Sequence, residues 1–144
     1  MKPVQQTKYS LFYSDGTRMT YGNCLVACIA SILDEPVDEI PNIYTFYGLD
    51  EKKENPEDYL WFQIINKWLN VKYNKCFKHY KKDTPTYHPF VIMKGLSKRN
   101  RPHCVIYFND NGNLKPYFDP HPTKEYLSSE LYYFTIEECI SSSL

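Results

Sequence analysis

No stretch of this 144-residue chain approaches the roughly 20 consecutive apolar residues that a membrane-spanning helix needs. Charge of either sign is not in excess, with 17 Lys and Arg set against 17 Asp and Glu, which argues against a general binder of nucleic acid or another polyanion. The opening residues MKPVQQTKYS lack the apolar region of a secretory leader. Repeats, low-complexity tracts and linkers are also missing. The expectation is one soluble, cytoplasmic domain over residues 1–144, with no membrane and no nucleic-acid partner. Nor is there a disulfide pattern: five cysteines, an odd number, lie scattered at 24, 28, 76, 104 and 139. The expectation is five free thiols, most of them small buried hydrophobes.

What the chain does have is one very apolar run, CLVACIASIL, beginning at Cys24 directly after Asn23. Leu25, Val26, Ile29, Ile32 and Leu33 leave almost no polar face, so the spacing predicts a central helix rather than a surface one. Asn23 suits the N-cap, which puts Cys24 in the first turn. Asp34-Glu35-Pro36 ends the helix, and residues 37–40 have room for one further turn before Pro41. A second helix is predicted from a cap at Asn55 and Pro56, with Trp61, Ile64, Ile65, Trp68 and Leu69 on one face as core residues. Residues 1–22 read as irregular, with a turn at Asp15-Gly16.

After Asn70 the period turns strand-like. Residues 71–77, 89–94, 103–108, 115–118 and 132–136 are short and aromatic or β-branched, and 110–113 form a tight hairpin turn. Helices first and a largely antiparallel sheet after them make an α+β domain. The basic run 75–82 and the Lys98 to Arg101 cluster read as solvated features. His79 and His88 read as structural or solvated.

The hairpin carries a geometric consequence. A turn centred on Asn111-Gly112 places His103 opposite Asp119 or Pro120, and directly opposed side chains have Cβ atoms about 4.5–5.5 Å apart. An imidazole and a carboxylate are thereby brought together. Cys24 supplies the third group. A thiol at a helix N-terminus beside an imidazolium is biased toward the nucleophilic thiolate. His103 would be base and then acid, and Asp119 would orient the ring. The backbone N–H of Cys24 is one donor for a developing oxyanion, and Gln5, Gln6 and Asn23 offer side-chain amides for a second. His121, between two prolines, either lines the cleft as a substrate contact or stiffens a loop. Taken alone Cys24 reads as a buried helix cysteine; the hairpin register of His103 with Asp119 supports the nucleophile reading, which a family resemblance completes. A zinc set of Cys24, Cys28, His103 and Cys104 fits by ligand type. It lacks the Cys-x-x-Cys knuckle, however, and strand alternation sends His103 and Cys104 to opposite faces.

The pattern Gln6, then Gly22-Asn23-Cys24-Leu25-x-Ala27-Cys28-Ile29-Ala30-Ser31-Ile32-Leu33, then His103, then Asp119-Pro120 resembles the papain-like cysteine peptidases, most closely the C39-like branch. It is also similar to small phage and bacterial proteins with GNC…ACIASIL and a late DPHP, here Asp119-Pro120-His121-Pro122. The resemblance spans residues 5–125. It implies a papain-like α+β fold, with the N-terminal helix packed on an antiparallel sheet. It further implies a catalytic Cys24, His103 and Asp119, an oxyanion role for Gln6, and substrate contacts at Asn23 and His121. No cofactor and no metal would be required. The activity would be hydrolysis of an amide or (thio)ester bond in a peptide or small acylated substrate. The same scaffold also serves binding proteins, so the alternative is a factor, phage-encoded, that sequesters a protein partner in the host cytoplasm. Two departures stand out: Leu25 follows Cys24 where C39 peptidases carry Gly, and Gln6 lies further upstream than their glutamine.

Overall fold

The computed structural model describes residues 1–9, 11–12, 14, 18–20, 22–43, 46 and 54–139. The Asp15-Gly16 turn expected from the sequence lies outside them. Within this set, two short strands, β1 (Leu11–Phe12) and β2 (Arg18–Thr20), pair antiparallel where no regular structure was expected. Helix α1 follows at Cys24–Leu33, as its apolar run predicts. Its buried residues run from Leu25 to Ser31 without a polar interruption, which is why it sits inside the fold. The helix closes at Asp34 in a left-handed conformation (φ 57°), and a 3-10 turn over Val37–Glu39 comes next.

The second helix starts later than its sequence signals suggest. Asn55 does cap, its Oδ1 accepting from the Glu57 amide, but what it caps is a 3-10 turn over Pro56–Asp58. Tyr59 is extended (ψ 141°), so α2 runs Leu60–Tyr73. It also ends later: residues 71–73 were expected in a strand but complete the helix. The left-handed Asn74 closes it (φ 56°), its N–H bonded to the Asn70 carbonyl at 3.1 Å. Trp61, Phe62, Ile65 and Leu69 form the buried stripe, with Ile64 and Trp68 half-buried at its margin.

Five strands then build one antiparallel sheet: β3 (Lys75–Lys81), β4 (Phe90–Ser97), β5 (Pro102–Asp110), β6 (Asn113–Phe118) and β7 (Leu127–Glu138). Their spatial order is β3-β7-β4-β5-β6. This is an α+β fold with two α-helices, among the described residues, packed on the sheet. One face of the sheet presents Phe77, Ile92, Cys104, Ile106 and Phe134 to α1 and α2. Phe77 and Phe134 stack with centroids 4.9 Å apart, and Phe62 from α2 lies 5.1 Å from Phe77. Such aromatic pairs contribute about 0.5–1.5 kcal/mol each beyond the area they bury.

The opposite face carries Val91, Met93, Val105, Tyr107 and Tyr133, also withdrawn from water. Connecting chain covers it. Tyr133 Oη donates to the Thr84 carbonyl (2.7 Å) and Asn109 Nδ2 to the Thr86 carbonyl (2.7 Å), pinning residues 82–89 there.

One sequence expectation about cysteine is overturned. Cys76 and Cys139 form a disulfide, leaving Cys24, Cys28 and Cys104 free. The β3–β7 ladder pairs Lys75 with Glu138, so it ends with the two cysteines as near neighbours, Cα atoms 5.3 Å apart. They are 63 residues apart in the chain, and only strand pairing brings them together. Among the described residues no helix is long and apolar enough to cross a membrane.

Candidate active site

The N-terminal segment lies along α1 and is fastened at several points. Lys2 N–H donates to the Ser31 carbonyl (3.0 Å), Val4 N–H to Ser31 Oγ (2.8 Å), and the Asn23 amide to the Lys8 carbonyl (3.1 Å). Asn23 does the most. Its Oδ1 accepts from the Thr7 and Lys8 amides (3.0 and 2.8 Å), and its Nδ2 donates to Thr7 Oγ1 (2.9 Å). It occupies the N-cap position of α1 without capping through its side chain. The side-chain cap expected of Asn23 is thereby corrected, because its buried side chain is spent on residues 7 and 8 rather than on the helix amides. The first-turn amides of α1 therefore receive no cap from it. That leaves the positive end of the helix directed at Cys24.

Across from Cys24, β5 begins. His103 is its second residue and pairs with Gly95, and Cys104 pairs with Lys94. The β5–β6 hairpin follows the expected register from Asp110↔Asn113 to Tyr107↔Pro116. It then slips by one residue, so that Ile106 faces Phe118. The bulge carries Asp119 just past the end of β6. There its Oδ1 takes a 2.7 Å hydrogen bond from His103 Nε2. The imidazole–carboxylate pair read from the hairpin is present, with the bulge added.

Asp119 is held by more than the histidine. The His121 amide donates to the same Oδ1 (2.9 Å), the Tyr126 amide donates to Oδ2 (2.8 Å), and Lys124 Nζ donates to the Asp119 carbonyl (2.6 Å). Residues 119–127 thus wrap around one carboxylate. The wrap requires Lys124 and Tyr126 at positive φ (54° and 64°), a conformation costing about 1–2 kcal/mol per ordinary residue. The buried hydrogen bonds offset it.

With Nε2 committed to Asp119, Nδ1 is the ring nitrogen left to interact with the Cys24 thiol. Burial alone would lower the His103 pKa. The Asp119 hydrogen bond, the Cys24 hydrogen bond and the two negative charges outweigh it and raise the imidazole to about 9. Burial raises Asp119, but the hydrogen bond and charge of His103, with the His121 and Tyr126 amides, bring it below the usual carboxylate value. Cys24 moves well below an ordinary thiol. The Cys104 thiol hydrogen-bonds to it and His103 adds a hydrogen bond and positive charge, together overcoming burial.

The other two free thiols go the opposite way. Burial, with the charges of Cys24 and Asp119, raises Cys28. The Cys24 hydrogen bond and burial raise Cys104, although the Lys94 cation pulls against them. Of the three free thiols, the partly exposed Cys24 is the one biased toward thiolate at neutral pH.

Cys104 is the participant that sequence reasoning left out of the site. Alternation holds from Cys104 onward, with Cys104 and Ile106 toward the helices and Val105 and Tyr107 on the other face, and His103 and Cys104 both act on the Cys24 thiol. The β4–β7 ladder slips at Lys94/Gly95, the residues directly across from this pair. Such irregularities increase local strand twist. The signal available in sequence was the adjacency of the two residues at a strand start.

Gln6 reaches the site's edge: its amide donates to the Pro120 carbonyl (3.0 Å), beside Asp119. Its side chain is buried, Nε2 donates to the Lys8 carbonyl (2.8 Å), and Oε1 has no partner among the described residues. One amide proton is therefore committed and one remains. His121 packs edge-on to His103 (centroids 6.2 Å) and to Tyr9 (5.2 Å). Burial and the charges of Arg99 and His103 lower its pKa, and Nδ1 accepts from the Thr123 amide (3.2 Å). It borders the site as a neutral ring. Among the described residues no group of three or more His, Cys, Asp or Glu is arranged to hold a metal ion. A separate open groove, lined by residues that include Glu57, His79 and Lys81, contains none of Cys24, His103 and Asp119.

No family model matches this chain, and neither a curated protein nor a solved structure matches it.

Proposed function

We propose that this chain is a cysteine hydrolase or acyl-transfer enzyme of papain-like type, acting through Cys24, His103 and Asp119. The observation that carries the reading is the triad itself: a buried His103–Asp119 pair joined by a 2.7 Å hydrogen bond, with the Cys24 thiol acting electrostatically on the same ring. Its thiol is lowered and its imidazole raised, so the pair rests as thiolate and imidazolium. Activating a thiol by an adjacent base that a third group orients is the general logic of such nucleophiles.

In this reading Cys24 Sγ attacks the carbonyl carbon of an amide or (thio)ester in a peptide or small acylated substrate. The oxyanion meets the Cys24 backbone N–H, with the uncommitted Gln6 amide proton as second donor. His103 Nδ1 delivers its proton to the leaving group, and the acyl chain stays on Cys24 as a thioester. Water, deprotonated by His103, then releases the acid. Asp119 keeps Nε2–H fixed throughout, so the ring turns neither its tautomer nor its plane. His121 borders the side on which substrate would lie.

The test is acyl capture. Mixing the protein with p-nitrophenyl acetate should release a burst of nitrophenolate stoichiometric with enzyme and leave an acetyl group on Cys24, seen by peptide mass spectrometry. Cys24→Ala should abolish both. A folded protein that never carries the acyl group on Cys24 would contradict the reading and favour a non-catalytic, sequestering role on the same scaffold.

A further inference from the structure

Three free thiols gather at one point of the fold: partly exposed Cys24 at the head of α1, buried Cys28 one turn along the same helix, and buried Cys104 on β5. A cysteine–histidine–aspartate site needs one of them. Cys104 nevertheless lies in the core cluster against which Cys24 packs, and its thiol acts on the Cys24 thiol. Cys28 lies one turn along the same helix and feels the Cys24 charge. Lys94, the cross-strand partner of Cys104 on β4, brings a cation to that buried thiol. Tyr132, the partner of Lys94 on β7, lies under the ammonium, whose Nζ is 5.9 Å from its ring centroid. A partly exposed nucleophilic thiol, a second thiol packed in the core beside it, and a cation across the strand from that second thiol form the layout of a reversible oxidation site.

We propose that Cys24 and Cys104 are a peroxide-responsive pair, in which Cys24 is oxidised first and Cys104 resolves it into a Cys24–Cys104 disulfide that switches the site off. In the first step the Cys24 thiolate attacks one peroxide oxygen. An S–O bond forms, the O–O bond breaks, and the departing hydroxide takes the His103 proton to leave as water. Cys24 is now a sulfenic acid, oxidised by two electrons, and the peroxide has been reduced. In the second step Cys104 loses its proton and its sulfur attacks Cys24 sulfur. The S–S bond forms, the S–O bond breaks, and hydroxide leaves with that proton as a second water. Two thiols and one peroxide give one disulfide and two waters, and a dithiol reductant reverses the change. Without Cys104, the sulfenic acid would be open to further oxidation that thiols do not reverse. The device needs a reactive Cys24 but no acyl-enzyme, so it stands or falls separately from the hydrolase reading.

The experiment exposes the intact protein, its free thiols reduced, to hydrogen peroxide, blocks remaining thiols with N-ethylmaleimide and maps peptides by mass spectrometry. The expected result is a linked Cys24–Cys104 peptide pair, loss of both residues from the blocked pool, and their return after dithiothreitol. In Cys104→Ser, Cys24 should instead accumulate as the sulfinate and stay lost after dithiothreitol. The wild-type map decides the matter if that variant does not fold. A Cys24–Cys28 link, or Cys24 sulfinate in wild type with Cys104 still blocked by maleimide, would overturn the proposal. Acyl capture on the reduced protein reports on the hydrolase reading independently.

Discussion

Asp119 Oδ1 and His103 Nε2 are joined by a 2.7 Å hydrogen bond, and both side chains are withdrawn from solvent. The carboxylate does two things at once. It fixes the imidazole, and it ties down residues 119–127 by accepting the His121 and Tyr126 amides.

Asp119→Asn should therefore damage stability and reactivity together. A carboxamide supplies one acceptor oxygen where the wild type has two, so its NH₂ must face either the Tyr126 amide or the histidine. Leaving a buried donor unpaired costs about 1–3 kcal/mol, measurable by urea unfolding. The sign with pH follows from the lowered Asp119 pKa. The contribution of the wild-type carboxylate is full above the ordinary carboxylate range and fades as pH falls through its own lowered value. The stability gap between wild type and Asp119→Asn should shrink on acidification.

Asn23→Ala tests whether Asn23 fastens the N-terminal segment. Removing the side chain strands the Thr7 and Lys8 amides and Thr7 Oγ1. The expected loss is about 1–3 kcal/mol, with faster protease cleavage within residues 1–8. Unchanged stability and cleavage would assign the segment's anchoring elsewhere.

Gly95 lies across from His103 on β4, and a Cβ built there would collide with the Ser129 carbonyl oxygen. Backbone from β7 fills the space a side chain would need. Gly95→Ala must push the two strands apart beside the site, so it should cost about 1–3 kcal/mol or more and slow Cys24 alkylation. A variant as stable and reactive as wild type would show that the β4–β7 contact yields without consequence.

The parts of the fold legible in sequence were those set by local pattern. The run at 24–33 has no polar face and became a buried helix. Asn111-Gly112 set the first four pairs of its hairpin and brought His103 to the strand end where Asp119 waits. What escaped depends on distant chain. The bulge between Ile106 and Tyr107 arises from ladder geometry that no local residue announces. The cap at Asn55 was read correctly but closes a 3-10 turn, because Tyr59 is extended before α2. Cys76 and Cys139 meet only through β3–β7 pairing. Cys104 was left out of the site because its packing beside the head of α1 depends on how the helix docks on the sheet.

The most direct measurement is the pH dependence of alkylation at the three free thiols, by iodoacetamide and peptide mass spectrometry. Cys24 is lowered, so its thiolate persists at neutral pH and is lost only as pH falls through that lowered value. The paired imidazolium persists until pH rises through about 9. The expected result is labelling of Cys24 far ahead of Cys28 and Cys104 at neutral pH. Its rising limb should lie well below the ordinary thiol range, and His103→Ala should move that limb upward. Equal labelling of the three thiols, or a Cys24 profile indifferent to His103→Ala, would contradict the account.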